Sequence, residues 1–372
     1  MTTMIDFAQK IVSLGGRAYL VGGCVRDEIM GRTPHDHDYV IVGVPEKSLL
    51  SVFPEAQKVG NGFPVFLIEM EGERCEVALA RKERKTDVGH SGFEVVFSSD
   101  TTLEEDLARR DLTINAMAKD VLTGEIIDPY GGQKDIDNKL IRATTKHFGE
   151  DPVRALRAAR FAAMFWFDIE PRTVEAMHSC REELKGEAKE RIIEEMRKAF
   201  RTMHPARFFR ELKRADVLDI VFPQLARLSE IDWNDSMKLL ATARKKNVSE
   251  TALFCCVASR MTKDALSAWA SEMPLLAVWY KVAVFVNKNH WGTTAAQIVR
   301  EIEEAKRLPL SMEGLKEVFL SIGRIVPSWI ENPRILKAYT EVHGADAPKE
   351  LEGWEIRKWM RTQQAKRIEK IL

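Results

Sequence analysis

Residues 36–43 read Asp-His-Asp-Tyr-Val-Ile-Val-Gly. The β-branched run after the second acid predicts a strand. Side chains alternate along a strand, so Asp36 and Asp38 share one face and His37 points to the other. Two carboxylates that near each other repel unless a cation lies between them. Mg²⁺ takes one or two protein carboxylates and fills its other positions with water and phosphate oxygens. That chemistry suits phosphoryl transfer. By itself, the same acid-x-acid pattern also describes a polar loop entering a strand.

The flanking sequence narrows the choice. Upstream, residues 17–22 (RAYLVG) form a β-like run that ends in Gly22-Gly23, and a helix is expected over 24–30. Backbone N–H groups at such a junction can face a triphosphate, since no Cβ blocks the approach. Arg26, on the first turn, could reach the same phosphates. Downstream, 63–70 and 74–80 predict a hairpin turning at 71–73. Glu76 then lies on a strand beside the acidic pair and is a candidate third carboxylate. A strand is expected at 93–97, a polar turn at 98–102, a helix over 103–119 capped by Thr102, and a short strand at 124–127.

From Asp151 onward the periodicity is helical. Helices are expected over 171–184, 189–201, 206–215, 235–245, 249–261, 263–272, 274–286, 295–306, 312–322 and 353–371. The fold class is therefore α+β: a head with a small mixed sheet, followed by an all-helical neck, body and tail. The expected boundaries are 1–143 for the head, 144–228 for the neck, and 229–372 for body and tail.

Two further motifs carry chemistry: residues 109–116 (RRDLTINA) and 150–161 (EDPVRALRAARF). Together with Gly-Gly-x-x-Arg-Asp at 22–27 and the acidic pair, they resemble class II tRNA nucleotidyltransferases and bacterial poly(A) polymerases, with a polymerase-β-like head. The resemblance runs from about residue 18 to 222 and is closest to the bacterial CCA-adding branch. It implies that Asp36 and Asp38 bind Mg²⁺ and are catalytic. It implies that Gly23 and Arg26 touch nucleotide phosphates and that Arg110 approaches the nucleotide. It also implies that Asp151, Arg154, Arg157 and Arg160 line a nucleotide pocket. The implied partners are tRNA, CTP and ATP, with no DNA. Poly(A) polymerase, CC-only or A-only addition, and a silent RNA-binding protein remain the alternatives.

The neck motif also makes sense unaided. On a helix, Arg154, Arg157 and Arg160 follow one another at three-residue spacing, with Asp151 one turn before. An acceptor beside a fixed donor matches the amine and ring nitrogen that cytosine and adenine share. Guanine and uracil place a carbonyl where the amine should be. Residues 189–195 (KERIIEE) are read as bracing this helix through Glu190 and Arg191. The basic loop 81–93 stands where the family places a flexible loop tied to the switch from C to A addition.

Bulk properties agree but do not decide. Lys+Arg and Asp+Glu both number 56, so global charge announces no RNA partner. Between 139 and 215, 18 basic residues face 12 acidic ones, a local excess compatible with phosphate contacts. Five cysteines without a C-x-x-C pair fit reduced thiols in a cytoplasmic protein. No signal pattern or membrane-length apolar run is read. Beyond residue 230, neither His290 nor His343 precedes an aspartate, so no phosphohydrolase activity is expected. The tail is expected to grip tRNA, with 244–246 and the basic helix 357–370 as candidates and a solvated face as the alternative.

Overall fold

The computed structural model describes residues 2–34, 36–59, 65–85, 93–97, 100–288 and 290–372, with the backbone alone described for 82–85 and 93–97. The chain forms two compact units. One comprises Met1–Thr202 with Arg207–Val221, and the other Met203–Ala206 with Phe222–Leu372.

The first unit is built on a mixed seven-stranded sheet. Its strands are β1 (Arg17–Val21), β2 (Asp38–Val42), β3 (Gln57–Val59), β4 (Val65–Met70) and β5 (Glu73–Leu79). A separate hairpin, β6 (Arg81–Lys85) and β7 (Phe93–Phe97), comes next, and β8 (Ala118–Asp120) and β9 (Ile126–Ile127) complete the sheet. The spatial order is β3-β4-β5-β2-β1-β8-β9. Within this sheet, among the described residues, only β2 and β5 pair in parallel, with Asp38 opposite Glu76. The expected hairpin turns on Glu71 and Gly72, both with positive φ (56° and 86°), as a two-residue turn requires.

The sheet buries both faces. On one side lie Tyr39, Ile41, Phe66, Ile68 and Val77. They pack on Phe7 and Ile11 of α1 (Met4–Ser13) and on Leu49 and Phe53 at α3 (Glu46–Val52). On the other side, Val21, Val40 and Ala80 pack on Leu107 and Ala116. Asp38 shares the parity of Val40, and Glu76 that of Ala80. Both carboxylates therefore stand on this second face, beyond the edge of its apolar cluster. Between β1 and β2 lies α2 (Gly23–Ile29).

Several expectations are corrected. The strand begins at Asp38, so Asp36 lies just outside it. The helix expected over 103–119 ends early, as α4 (Leu103–Ala108). Thr102 does cap it, accepting the Glu105 N–H at 3.2 Å. It stops because the Asp111 carboxylate takes the Leu112 N–H at 2.9 Å and Leu112 bridges to Ala143. A 3₁₀ turn at Thr113–Asn115 and then β8 follow. Of the expected loop 81–93, residues 81–85 and Phe93 belong to the β6–β7 hairpin, and 86–92 lie outside the described residues. Residues 98–99 of the expected turn and 63–64 of the expected strand also lie outside them.

The helix expected over 171–184 is broken at Cys180 into α7 (Pro171–Ser179) and α8 (Arg181–Lys185). These follow α5 (Gly132–Asp137) and α6 (Arg154–Phe165), and α9 (Lys189–Phe200) comes after them. The neck is not wholly helical, because Asp168–Ile169 pairs in parallel with Leu140–Ile141.

The second unit is helical throughout its described residues. Its helices are short and end-capped by Ser249, Thr262, Thr294 and Ser311. Its core is aromatic, with Phe254 stacked on Trp279 at 4.7 Å and tilted against Trp269 at 5.2 Å. All five cysteines are buried thiols. Among the described residues no helix is long and apolar enough to cross a membrane.

Candidate functional site

In the first unit, a cleft of about 720 Å³ opens between the start of β2, the Gly22 turn and the neck. Its wall includes Gly22, Gly23, Arg26, Asp38 and Arg110, and, from the neck, Asp151, Arg154, Arg157, Arg191 and Lys198. Residues more than a hundred positions apart thus share one cavity.

The glycine turn is built for close approach. Gly22 has φ 77° and ψ −126°, and an added Cβ there would stand 2.9 Å from Arg110 Nη1. A Cβ on Gly23 would meet nothing closer than 3.5 Å. Gly22, which the sequence reading left out of the site, is therefore the position that tolerates no side chain.

Asp38 lies at the mouth of the cleft. Burial raises its carboxyl above the ordinary carboxylate value, Arg110 opposes that, and Asp36 adds to it. Asp36 is exposed and next to it but is not part of the cleft wall. Among the described residues no three carboxylate, histidine or cysteine side chains converge as a ready-made metal cluster. Two carboxylates suffice for a cation that completes its shell with water and phosphate oxygens, so the donor set fits Mg²⁺.

Along the cleft wall runs a hydrogen-bonded chain. Arg26 Nη1 donates to Asn115 Oδ1 at 2.6 Å, and Asn115 Nδ2 donates to Asp111 Oδ1 at 3.0 Å. Arg157 Nε donates to Asp111 Oδ2 at 2.7 Å. Arg26 is buried and lies over the Phe165 ring at 4.9 Å. Burial alone would raise the Asp111 carboxyl, but the Arg157 guanidinium and the Asn115 amide outweigh it and hold it at about 2. α2 beside the Gly22 turn, the RRDLTINA segment and α6 are thereby tied into one network. Asp111 and Asn115, four residues apart in that segment, carry it, and the sequence reading assigned neither a role.

The neck residues are set differently from a continuous helical edge. α6 starts at Arg154, and Asp151 is extended (φ −113°, ψ 106°) because Pro152 disfavours a helical residue before it. Asp151 Oδ1 accepts the Val153 N–H at 3.2 Å, as a helix-start acceptor does. Arg191 Nη2 donates to both Asp151 oxygens, at 2.8 and 3.1 Å. This is direct contact between residues 189–195 and the segment 150–161. Arg154 Nη1 donates to the His147 carbonyl at 2.5 Å. Arg160 pairs with Glu195 at 2.6 Å and lies over Phe161 at 4.4 Å. It is not part of the cleft wall, so the structure brings Asp151, Arg154 and Arg157 together there without Arg160.

Comparison with known proteins gives the following. Residues 18–142 match the family described as "Poly A polymerase head domain", and residues 166–228 match "Probable RNA and SrmB- binding site of polymerase A". The multifunctional CCA protein of Actinobacillus pleuropneumoniae serotype 5b is 47% identical over 215 residues, 56% of this chain and 51% of that protein. The multifunctional CCA protein of Nitrosococcus oceani is 46% identical over 211 residues, 56% of this chain and 50% of that one. The chain thus spans about half the length of the curated relatives it matches. Among solved structures, the Bacillus stearothermophilus CCA-adding enzyme in complex with CTP superposes with a TM-score of 0.69 at 24% identity. That match covers 97% of this chain and 90% of the other. A CCA-adding enzyme in an apo form gives 0.70 at 21% identity, covering 99% and 94%. These likenesses show that the fold extends along nearly the whole chain.

Proposed function

We propose, on the premise that residues 18–228 belong to the poly(A) polymerase and tRNA nucleotidyltransferase family, that this chain is a CCA-adding enzyme. It would add C, C and A to the 3′ end of tRNA from CTP and ATP, release pyrophosphate and use no nucleic-acid template. The observation that carries this reading is the single cleft holding Asp38, the Gly22 turn, Arg110 and the Asp151–Arg154 pair.

Asp36 and Asp38 would hold Mg²⁺, with Glu76, opposite Asp38 in register, on the same face. When bound, Mg²⁺ makes the attacking 3′-hydroxyl more acidic and offsets charge on the triphosphate. Gly22 and Gly23 leave room for phosphate oxygens, and Arg110 supplies positive charge beside them. Arg26 and Arg157, locked through Asn115 and Asp111, hold the turn and α6 at fixed separation. Asp151 accepts from the exocyclic amine of cytosine or adenine, and Arg154 donates to the ring nitrogen beside it. Arg191 holds the Asp151 carboxylate in place. Arg160 supports α6 from behind through Glu195. In this reading 1–143 is the head, 144–228 the neck, and 229–372 the body and tail that grip tRNA. The five buried thiols, none of them in a disulfide, fit a cytoplasmic protein.

Incubation with tRNA lacking its CCA end, and with each NTP singly and together, tests the reading. Sequencing should find C, C and A, in that order, and nothing more. Long A-tails on any RNA would instead identify a poly(A) polymerase, and a product ending at CC or needing a CC end would identify a partial adder. Asp38→Ala should abolish incorporation while the melting temperature stays the same or rises, because a carboxylate raised by burial and by a like charge is removed. Retained activity would remove Asp38 from the mechanism.

A further inference from the structure

Asp106 is completely buried, and none of the steps above uses it. Its Oδ1 accepts from Arg109 Nη2 and Nε at 2.6 and 3.1 Å, and from the backbone N–H of Arg81 at 3.4 Å. Its Oδ2 accepts from Arg110 Nη2 at 3.4 Å. One carboxylate thus gathers the end of its own helix, the first residue of β6 and an arginine of the cleft wall.

Arg110 depends on this carboxylate. Among the described residues Asp106 is the only carboxylate within ion-pairing distance of it. Its Nε is buried with no hydrogen-bond partner, so Nη2 carries the anchoring. Its Nη1 reaches the Gly22 turn, 2.9 Å from where a Cβ would stand, and its charge acts on Asp38. A guanidinium is planar and rigid, so fixing one Nη fixes the direction of the other. A buried carboxylate of zero exposure does not trade its partners for water, which makes it a firm anchor.

We propose that Asp106 is the positioning residue for Arg110, holding one edge of the guanidinium so that the other faces the phosphates of the incoming nucleotide at the Gly22 turn. Its bond to the Arg81 N–H makes the start of β6 part of the same anchor. This inference rests on the nucleotide-binding reading of the cleft.

The test is a double-mutant cycle on the full-length chain. The readouts are ATP binding by calorimetry, KM and kcat for ATP and CTP on tRNA, and the melting temperature. Removing one charge-assisted hydrogen bond to phosphate weakens binding by roughly tenfold. Asp106→Asn and Arg110→Ala should each raise the ATP Kd and the KM by about that factor, with kcat changed far less. Asp106→Asn made in the Arg110→Ala background should add less than about twofold, because its effect acts through Arg110. Asp106→Glu, which keeps the charge, should bind ATP more tightly than Asp106→Asn.

Multiplying effects, an unchanged Kd in Asp106→Asn, or a fall in melting temperature with Kd intact would each overturn the proposal. Should Asp106→Asn not fold, the cycle is run with Asp106→Glu, whose longer side chain shifts the carboxylate away from Arg110 and should raise the ATP Kd, by a smaller factor than loss of the charge. An affinity change that vanishes without Arg110 supports the proposal, and one that persists, or no change at all, overturns it. If the wild-type chain binds ATP but extends no tRNA, the function reading fails while the binding cycle still decides the role of Asp106.

Discussion

Gly22 and Gly23 are adjacent and chemically identical, yet the fold asks different things of them. Gly22 has φ 77° and faces Arg110 Nη1, whereas Gly23 opens α2 with ordinary space around its Cα. Gly22→Ala should therefore cost about 1–2 kcal/mol of stability, because an L side chain is strained there, and should displace Arg110. Gly23→Ala should be neutral or stabilising by about 0.5 kcal/mol, since alanine reduces the freedom of the unfolded chain. Denaturant melts of the two variants check the opposite signs. If Gly23 also faces phosphate, Gly23→Ala should keep stability and lose nucleotide affinity. The sequence showed that two glycines end a strand, but not which of them takes the left-handed conformation. Backbone dihedrals at a Gly-Gly step depend on what the next helix packs against.

Between elements, the binding contribution of a residue depends on its neighbours. Asp111 joins the 3₁₀ turn to α6 through Arg157, and its carboxyl is held at about 2 against an ordinary value near 4. The folded state therefore takes up this proton only at lower pH than the unfolded state does. The stabilisation is complete above the unfolded value and is lost as pH falls from about 4 toward 2. It is worth about 2 kcal/mol and should be missing from Asp111→Asn, whose acid limb should be correspondingly flatter. Urea melts between pH 2 and 6 measure the difference. In the same way Arg191 fixes the Asp151 carboxylate, which under the proposed function reads the base. Asp151→Ala should relax discrimination against UTP and GTP by about tenfold or more, the value of a lost polar readout. Arg191→Ala should produce a weaker version of the same change. Unaltered discrimination in Asp151→Ala would remove it from base selection.

Most elements were legible from periodicity and caps, including the Thr102 cap and the helix Lys263–Glu272, which keeps its expected bounds. Residues 109–120 were not. Their apolar spacing suits a helix, but the Asp111 side chain competes for backbone N–H groups, and the edge of β1 takes Ala118–Asp120 as a partner. Those are long-range bonds that no local pattern announces. The acidic pair and the neck arginines were visible as residue types at given spacings. The partners of those arginines, Asp111, Glu195 and the His147 carbonyl, are fixed only by folding.

At the scale of the whole molecule, charge is uneven in a way that the neutral total conceals. In the second unit a groove of about 720 Å³ lies between the helix Ala295–Ala305 and the C-terminal helix Trp354–Glu369. Arg300, Arg357, Lys358 and Lys366 line it, together with Trp354, a residue 70% exposed, with Lys358 Nζ 5.7 Å from its ring centroid. Arg361 also lines the groove but is tied to Glu303 through two short hydrogen bonds, so it adds little free charge. Glu369 is the one acid on the wall. Exposed cations beside an exposed indole suit a ribose-phosphate backbone with a base stacked at its edge. Reversing three of them, in Arg357→Glu/Lys358→Glu/Lys366→Glu, should weaken tRNA binding by more than about tenfold. It should also lower the slope of log K against log salt by about one for each phosphate no longer neutralised. The KM for CTP at saturating tRNA should stay unchanged, because the cleft proposed to bind nucleotide belongs to the other unit. Filter binding across a salt series separates this from general destabilisation, which would leave the slope alone. An unchanged slope with intact affinity would make the groove an ordinary solvated surface and place the tRNA contacts elsewhere on the chain.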